Sequence, residues 1–282
     1  MSWFTLSIIS VITLAISNLL RRVLMKDDKS DAVAYSLVFQ LMCAFLVGLF
    51  AFSHGFVALP VFELPLNFLL TMVLYGTGTL LLFRAVQTTE ASKATILASS
   101  STLWAVIVAL ILLGESFSVL KIIGVGLILG GIILISLKKE VFSLSRGDLY
   151  VLCSALCYGI AFANDTFILR QSDVLSYTAL AFLLPGLFIL AIQPKALRKL
   201  GSFSNLGVLL RMAIMSIFYS ASAVTVYLAY QKGGAASQLA PIGQSVVILT
   251  VLLAAIFLGE RENLGKKFVA AIMTTIGVLL LK

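Results

Sequence analysis

The sequence predicts an all-α membrane protein of ten transmembrane helices, arranged as two inverted five-helix repeats. Three observations predict it. Of the 282 residues, 61% are hydrophobic and only 11% are charged, and the mean hydropathy is +1.11. The apolar residues fall into ten runs of membrane-crossing length. The second half of the chain then repeats landmarks of the first at a constant offset. A soluble domain is about half apolar and about a quarter charged. A chain with so few charges suits lipid, where the outward faces of a bundle must be apolar.

A hydrocarbon core of about 30 Å needs roughly 20 residues of helix. Runs of that length lie at 3–21, 33–53, 66–86, 92–113, 118–137, 148–169, 174–193, 206–230, 236–258 and 264–281. The first ends in Arg21-Arg22 rather than a small-residue cleavage site, and reads as a retained helix. Lys26-Asp27-Asp28-Lys29 separates it from the second, which stops at Ser53-His54-Gly55. The third carries Tyr75-Gly76-Thr77-Gly78-Thr79, and the fourth carries Ser99 to Thr102 followed by Trp104. Lys138-Lys139-Glu140 closes the fifth. The sixth holds Asn164-Asp165, and the seventh stops at Pro194-Lys195. The eighth holds Tyr219 and Tyr227; the ninth holds Ser237, Gln238, Pro241, Gln244 and Ser245 and ends before Glu260-Arg261-Glu262, ahead of the tenth. No linker is long enough for a soluble domain.

A shift of 145 residues lays Ala91-Ser92 on Ala236-Ser237 and Leu113-Gly114-Glu115 on Leu258-Gly259-Glu260. Slightly out of that register, Asn18 falls on Asn164. The repeats are 1–140 and 147–282. Because five is odd, the second copy enters the membrane from the opposite side, as in many secondary transporters. Lys and Arg divide 16 to 4 between the two faces. Charge bias puts the rich face in the cytoplasm and both termini outside.

Several classes are disfavoured. The net charge of +8 is dispersed between apolar runs, unlike a nucleic-acid patch. Cys43, Cys153 and Cys157 lie within apolar runs and His54 is the one histidine, so no Cys/His metal site is expected. Neither a phosphate-cradling loop nor a nucleophile elbow is present, so neither a cofactor nor enzymatic chemistry is expected.

Ten short helices in two halves, with Ala91–Glu115 and Ala236–Glu260 closing each fourth helix in the same pattern, resemble the drug/metabolite transporter superfamily. More narrowly, the chain resembles proteins built from two EamA domains. The resemblance implies a basket in which spans one to four and six to nine surround a central cavity, with spans five and ten outside. It also implies cytoplasmic termini, against the charge count. Asn18 stands where related small multidrug exporters carry a proton-coupling glutamate.

Polar groups in hydrocarbon are costly unless they face protein or water, so they mark the candidate site. Tyr75, Trp104, Tyr219 and Gln244, each near the middle of its span, are expected to line the cavity, with Asn18, Thr79, Ser99, Tyr158 and Asn164. Asp165 is the carboxylate well inside a span. It either titrates or binds a cation during the cycle, or pairs with Arg170, and the sequence favours neither. Glu115 and Glu260 read as turn-fixing residues. The expected function is secondary transport of a small organic solute across the cell membrane by a monomer, with amino acids or related amphipathic metabolites as substrate and export as the direction. Handling of lipid head groups and a non-transporting scaffold are the alternatives.

Overall fold

The computed structural model describes residues 1–26, 30–113, 119–138, 141–142, 144–233 and 236–280. Among them the regular structure is helical apart from a two-residue antiparallel ladder, Leu137–Lys138 with Val141–Phe142. The helices are α1 (Trp3–Met25), α2 (Ala32–Ser53), α3 (Pro65–Thr88), α4 (Ala91–Ala98), α5 (Ser101–Leu113), α6 (Val119–Ser136), α7 (Arg146–Leu169), α8 (Val174–Ile192), α9 (Leu206–Gln231), α10 (Ala236–Phe257) and α11 (Leu264–Leu280). Seven of them, α1, α2, α3, α6, α7, α8 and α9, are long and apolar enough to cross a membrane. A 3-10 run, Pro194–Ser204, joins α8 to α9.

Several starts follow from side chains that satisfy the first amide N–H groups of a helix. Ser2 accepts from the Thr5 amide at 3.2 Å. Asp31 accepts from Val33 and Ala34 at 3.1 and 2.9 Å. Ser145 and Asp148 form a reciprocal capping box at α7. Asp173 caps α8 through the Ser176 amide at 2.8 Å.

The fourth apolar run, expected as one helix, is two. Ser99 and Ser100 leave the α-helical ladder: their amides bond back three residues, to Ile96 and Leu97, at 3.2 and 3.1 Å. The Ser100 hydroxyl also donates to the Leu97 carbonyl at 2.8 Å. Hydroxyls that compete for backbone acceptors loosen a helix, and the serine run does so here. A Cβ added at Gly159 of α7 would collide with the Ser101 carbonyl, so α7 lies directly against the break.

The most extensive helix pairings are α3 with α7, α1 with α9, α6 with α11 and α2 with α8. Exchanging the first five runs for the last five turns α3–α7 into α9–α1 and leaves α2–α8 and α6–α11 unchanged. The pairing therefore has the two-fold pattern of a duplicated chain. Direction is fixed by hydrogen bonds. Ser10 bonds Ser222 and Ser17 bonds the Met215 carbonyl, so α1 and α9 are antiparallel. Ser154 bonds the Gly78 carbonyl and Asn164 bonds Asn67, so α3 and α7 are antiparallel too. Arg22 near the end of α1 donates to the Val86 and Gln87 carbonyls near the end of α3. The ends of α1 and α3 thus share a face, and α7 runs opposite to both. The α6–α11 pair is close because Gly277 lies against the Gly124 carbonyl.

Candidate functional site

Between the halves lies a cavity of about 390 Å³. Helices α1, α2, α3, α7, α8 and α9 enclose it, and Ala98 and Ser101 on either side of the α4–α5 break complete it. Residues of α6 and α11 do not line it. A second space of about 330 Å³ shares Leu14, Val174, Thr178, Tyr219 and Ala223 with it and adds Ser222, Tyr227 and Gly243. Leu169 and Val174, where α7 ends and α8 begins, line the central cavity, so it extends toward the lysine-poor face.

The cavity is layered along α3. In the layer toward the lysine-poor face, Asp165 accepts hydrogen bonds from the Tyr75 and Tyr177 hydroxyls, both at 2.5 Å. One turn on, the Thr79 hydroxyl accepts from the Gln40 amide at 2.7 Å and shares a hydrogen bond with the Tyr158 hydroxyl at 2.9 Å. One turn further, the Arg21 guanidinium lies over Phe39, Phe83 and Tyr219, 5.4 to 5.7 Å from each ring centroid. Asn18 lines the cavity and accepts from Arg21 at 3.4 Å. The three layers bring together groups from both halves of the chain.

Six of the sequence-predicted residues meet in this cavity: Asn18, Tyr75, Thr79, Tyr158, Asp165 and Tyr219. Four do not line it. Trp104 is 38% exposed, its Cβ beside Gly159 of α7. The Ser99 hydroxyl is used on the Thr95 carbonyl at 3.2 Å, within α4. Asn164 is consumed by α3, bonding Asn67 at 2.7 and 2.9 Å and the Thr71 hydroxyl at 3.1 Å. Gln244 meets α11 through its carbonyl, which accepts from Thr275 at 3.5 Å. Asp165 is not paired with Arg170 in this structure: its partners are the two tyrosines, and Arg170 lies over the Phe167 ring. The side chains of Ser237, Gln238 and Pro241 lie outside the described residues, as does Glu115.

Sequence reasoning missed Arg21, Gln40 and Tyr177. Gln40 gave a signal, a lone amide in the middle of the second apolar run. The first apolar run, ended at Arg21-Arg22, leaves Arg21 outside the candidate site, whereas α1 continues one turn to Met25.

At the lysine-rich face the two repeats are tied together. The Glu260 carboxylate accepts from the Ala91 amide at 2.8 Å and from the Ser92 amide and hydroxyl at 3.0 and 2.6 Å, capping α4. Buried Lys267 joins Glu90 at 2.5 Å and the Glu260 carbonyl at 3.1 Å. Lys93 pairs with Asp148 at 2.7 Å. Glu260 therefore does more than fix its own turn. A recess of about 610 Å³ lies among these ion-paired ends and shares no lining residue with the central cavity, so it is a surface cleft between salt bridges.

The EamA-like transporter family matches residues 1–137 and again residues 145–282. The chain belongs to that family. This EamA-like protein is thereby a multi-pass membrane transporter of the drug/metabolite type, with one family unit in each half. Among the curated proteins, none matches it. A solved crystal structure superposes on 98% of this chain and 94% of its own with a TM-score of 0.63. At 14% identity that likeness speaks for the fold alone.

Proposed function

We propose that this EamA-like protein is a secondary transporter that carries small organic metabolites, amino acids or related amphipathic solutes, across the cell membrane by alternating access. Ten spans form two inverted halves in this reading, the fourth span being the α4–α5 pair. The observation that carries it is the asymmetry of the cavity. Polar groups from both halves face one space that extends toward the lysine-poor face, while Glu260 and Lys267 tie the halves together at the lysine-rich face. A binding space that reaches toward one face while the halves are latched at the other is what one state of an alternating-access cycle requires. The amphipathic class follows from a lining that joins Phe162, Phe182 and Leu82 to the hydroxyls of Tyr75, Thr79 and Tyr158.

Purified protein in proteoliposomes tests the reading. Vesicles preloaded with unlabelled amino acid should take up the labelled compound faster than empty vesicles do. Uptake that no preloaded solute accelerates, over a panel of amino acids and related metabolites, contradicts it.

A further inference from the structure

Two adjacent arginines lie near the end of α1, and they are satisfied in different ways. Arg22 donates to two carbonyls at the end of α3, Val86 and Gln87, at 2.6 and 2.8 Å. Its charge sits where a helix C-terminus welcomes a cation. Arg21 is 6% exposed and, among the described residues, makes a single hydrogen bond, to Asn18, at 3.4 Å. Its Nε is buried with no partner among the described residues. None of the ion pairs among the described residues involves it.

A guanidinium carries five N–H donors and stays ionised in a protein. Burying such a charge without an anion costs several kcal/mol. Three aromatic rings compensate part of that, since a cation over an aromatic face gains about 0.5 to 2 kcal/mol. Contacts with ring faces leave N–H groups without acceptors, and an acceptor that takes two of them side by side is a carboxylate. Arg21 lines the central cavity, so the acceptor it lacks can arrive as solute.

We infer that Arg21 is the anion anchor of the central cavity and that the transported solute is an organic monocarboxylate with an apolar body. The inference rests on the transport reading above and narrows its substrate class. One negative charge fits better than two, because the described residues of the lining supply one cation and, nearer the lysine-poor face, the Asp165 carboxylate. Tyr75, which bonds Asp165, and Phe83, which stacks on Arg21, are eight residues apart on α3, about 12 Å at 1.5 Å per residue. The space between these levels is bordered by Leu82, Phe162 and Phe182, which suits the apolar body of the solute.

Thermal unfolding of the purified protein with three matched probes tests this: 3-phenylpropionate, its primary amide, and phenethylammonium. The carboxylate should raise Tm by several degrees and the other two by less than one. Arg21→Gln should weaken the carboxylate at least tenfold, with partial recovery in Arg21→Lys. Asn18→Asp provides an independent route should Arg21→Gln fail to fold. A carboxylate three residues before Arg21 supplies the missing anion within the chain, so it should raise the ligand-free Tm and abolish the response to phenylpropionate. Equal responses to carboxylate and amide, no response to any probe, or an Asn18→Asp protein that still binds the carboxylate would overturn the anchor. Solute counterflow in proteoliposomes is measured separately, so transport can stand while the anchor falls.

Discussion

Glu260 accepts hydrogen bonds from both the amide and the hydroxyl of Ser92, at 3.0 and 2.6 Å, across 168 residues of chain. The pair joins the end of the ninth apolar run to the start of the fourth, and so one repeat to the other. A carboxylate on the first N–H groups of a helix gains from charge-assisted hydrogen bonds and from the helix dipole.

Hydrogen bonds to a charged group contribute about 1.5 to 3 kcal/mol. Glu260→Gln keeps the shape and removes the charge. Hydrogen exchange at the Ala91 and Ser92 amides should rise about tenfold to a hundredfold, given about 1.4 kcal/mol per factor of ten. Unchanged protection would mean that the latch does not depend on the charge.

The tyrosine clamp on Asp165 makes a sharper demand on activity. Tyr75→Phe removes one 2.5 Å hydrogen bond and little volume. Solute flux should fall at least tenfold, while the melting temperature changes by a few degrees at most. Gln244→Leu is the contrast: it lies outside the cavity and should transport at close to the wild-type rate. The reverse pattern would move the binding site to α10.

Gly277 separates stability from transport. A Cβ there would sit 2.7 Å from the Gly124 carbonyl and 2.8 Å from the Ile128 side chain, forcing α6 and α11 apart. Overpacking of this kind costs about 1 to 3 kcal/mol. Gly277→Ala should lower Tm but leave flux per folded molecule within about twofold, since neither helix lines the cavity. Loss of flux with Tm unchanged would connect the outer pair to the cycle.

Asp31 predicts a pH effect. Burial alone would raise its carboxyl, but Lys199 at 2.6 Å and the Val33 and Ala34 amides outweigh it, leaving the pKa below the ordinary 3.8. A depressed carboxylate stabilises the fold above the unfolded pKa, and that contribution is lost as pH falls through the folded pKa. Tm of the wild type should therefore decline below about pH 4, more steeply than that of Asp31→Asn. The Lys199 side chain is 58% exposed, so the ion pair itself adds little. Asp31→Ala, which also removes the cap, should cost about 1 kcal/mol near neutral pH. Parallel curves for Asp31→Asn and wild type would remove the carboxylate from the account.

The apolar runs were legible because length and hydropathy report membrane crossing directly, and the repeat was legible because two Leu-Gly-Glu triplets share an offset. Which side of each helix faces the cavity was not legible. A helix that is apolar all round has no amphipathic stripe to orient it, so Trp104 on α5 and Tyr219 on α9 gave the same signal with opposite outcomes. Asn164 and Asp165 are neighbours in sequence, yet one serves α3 and the other the cavity, because consecutive helical residues point about 100° apart. Arg21 was hidden by a boundary placed one turn early. The α4–α5 break was hidden because serine hydroxyls that bend a helix and serine hydroxyls that bind a solute look alike in sequence.

Thiol accessibility at Ala223, which borders both spaces, tests the wet cavity between the halves most directly. In protein with Cys43, Cys153 and Cys157 replaced, Ala223→Cys should react readily with a membrane-impermeant thiol reagent added at the lysine-poor face, and slowly when the reagent is added at the other. A thiol silent from both faces would contradict the cavity, and one reactive only from the lysine-rich face would contradict the side on which it opens.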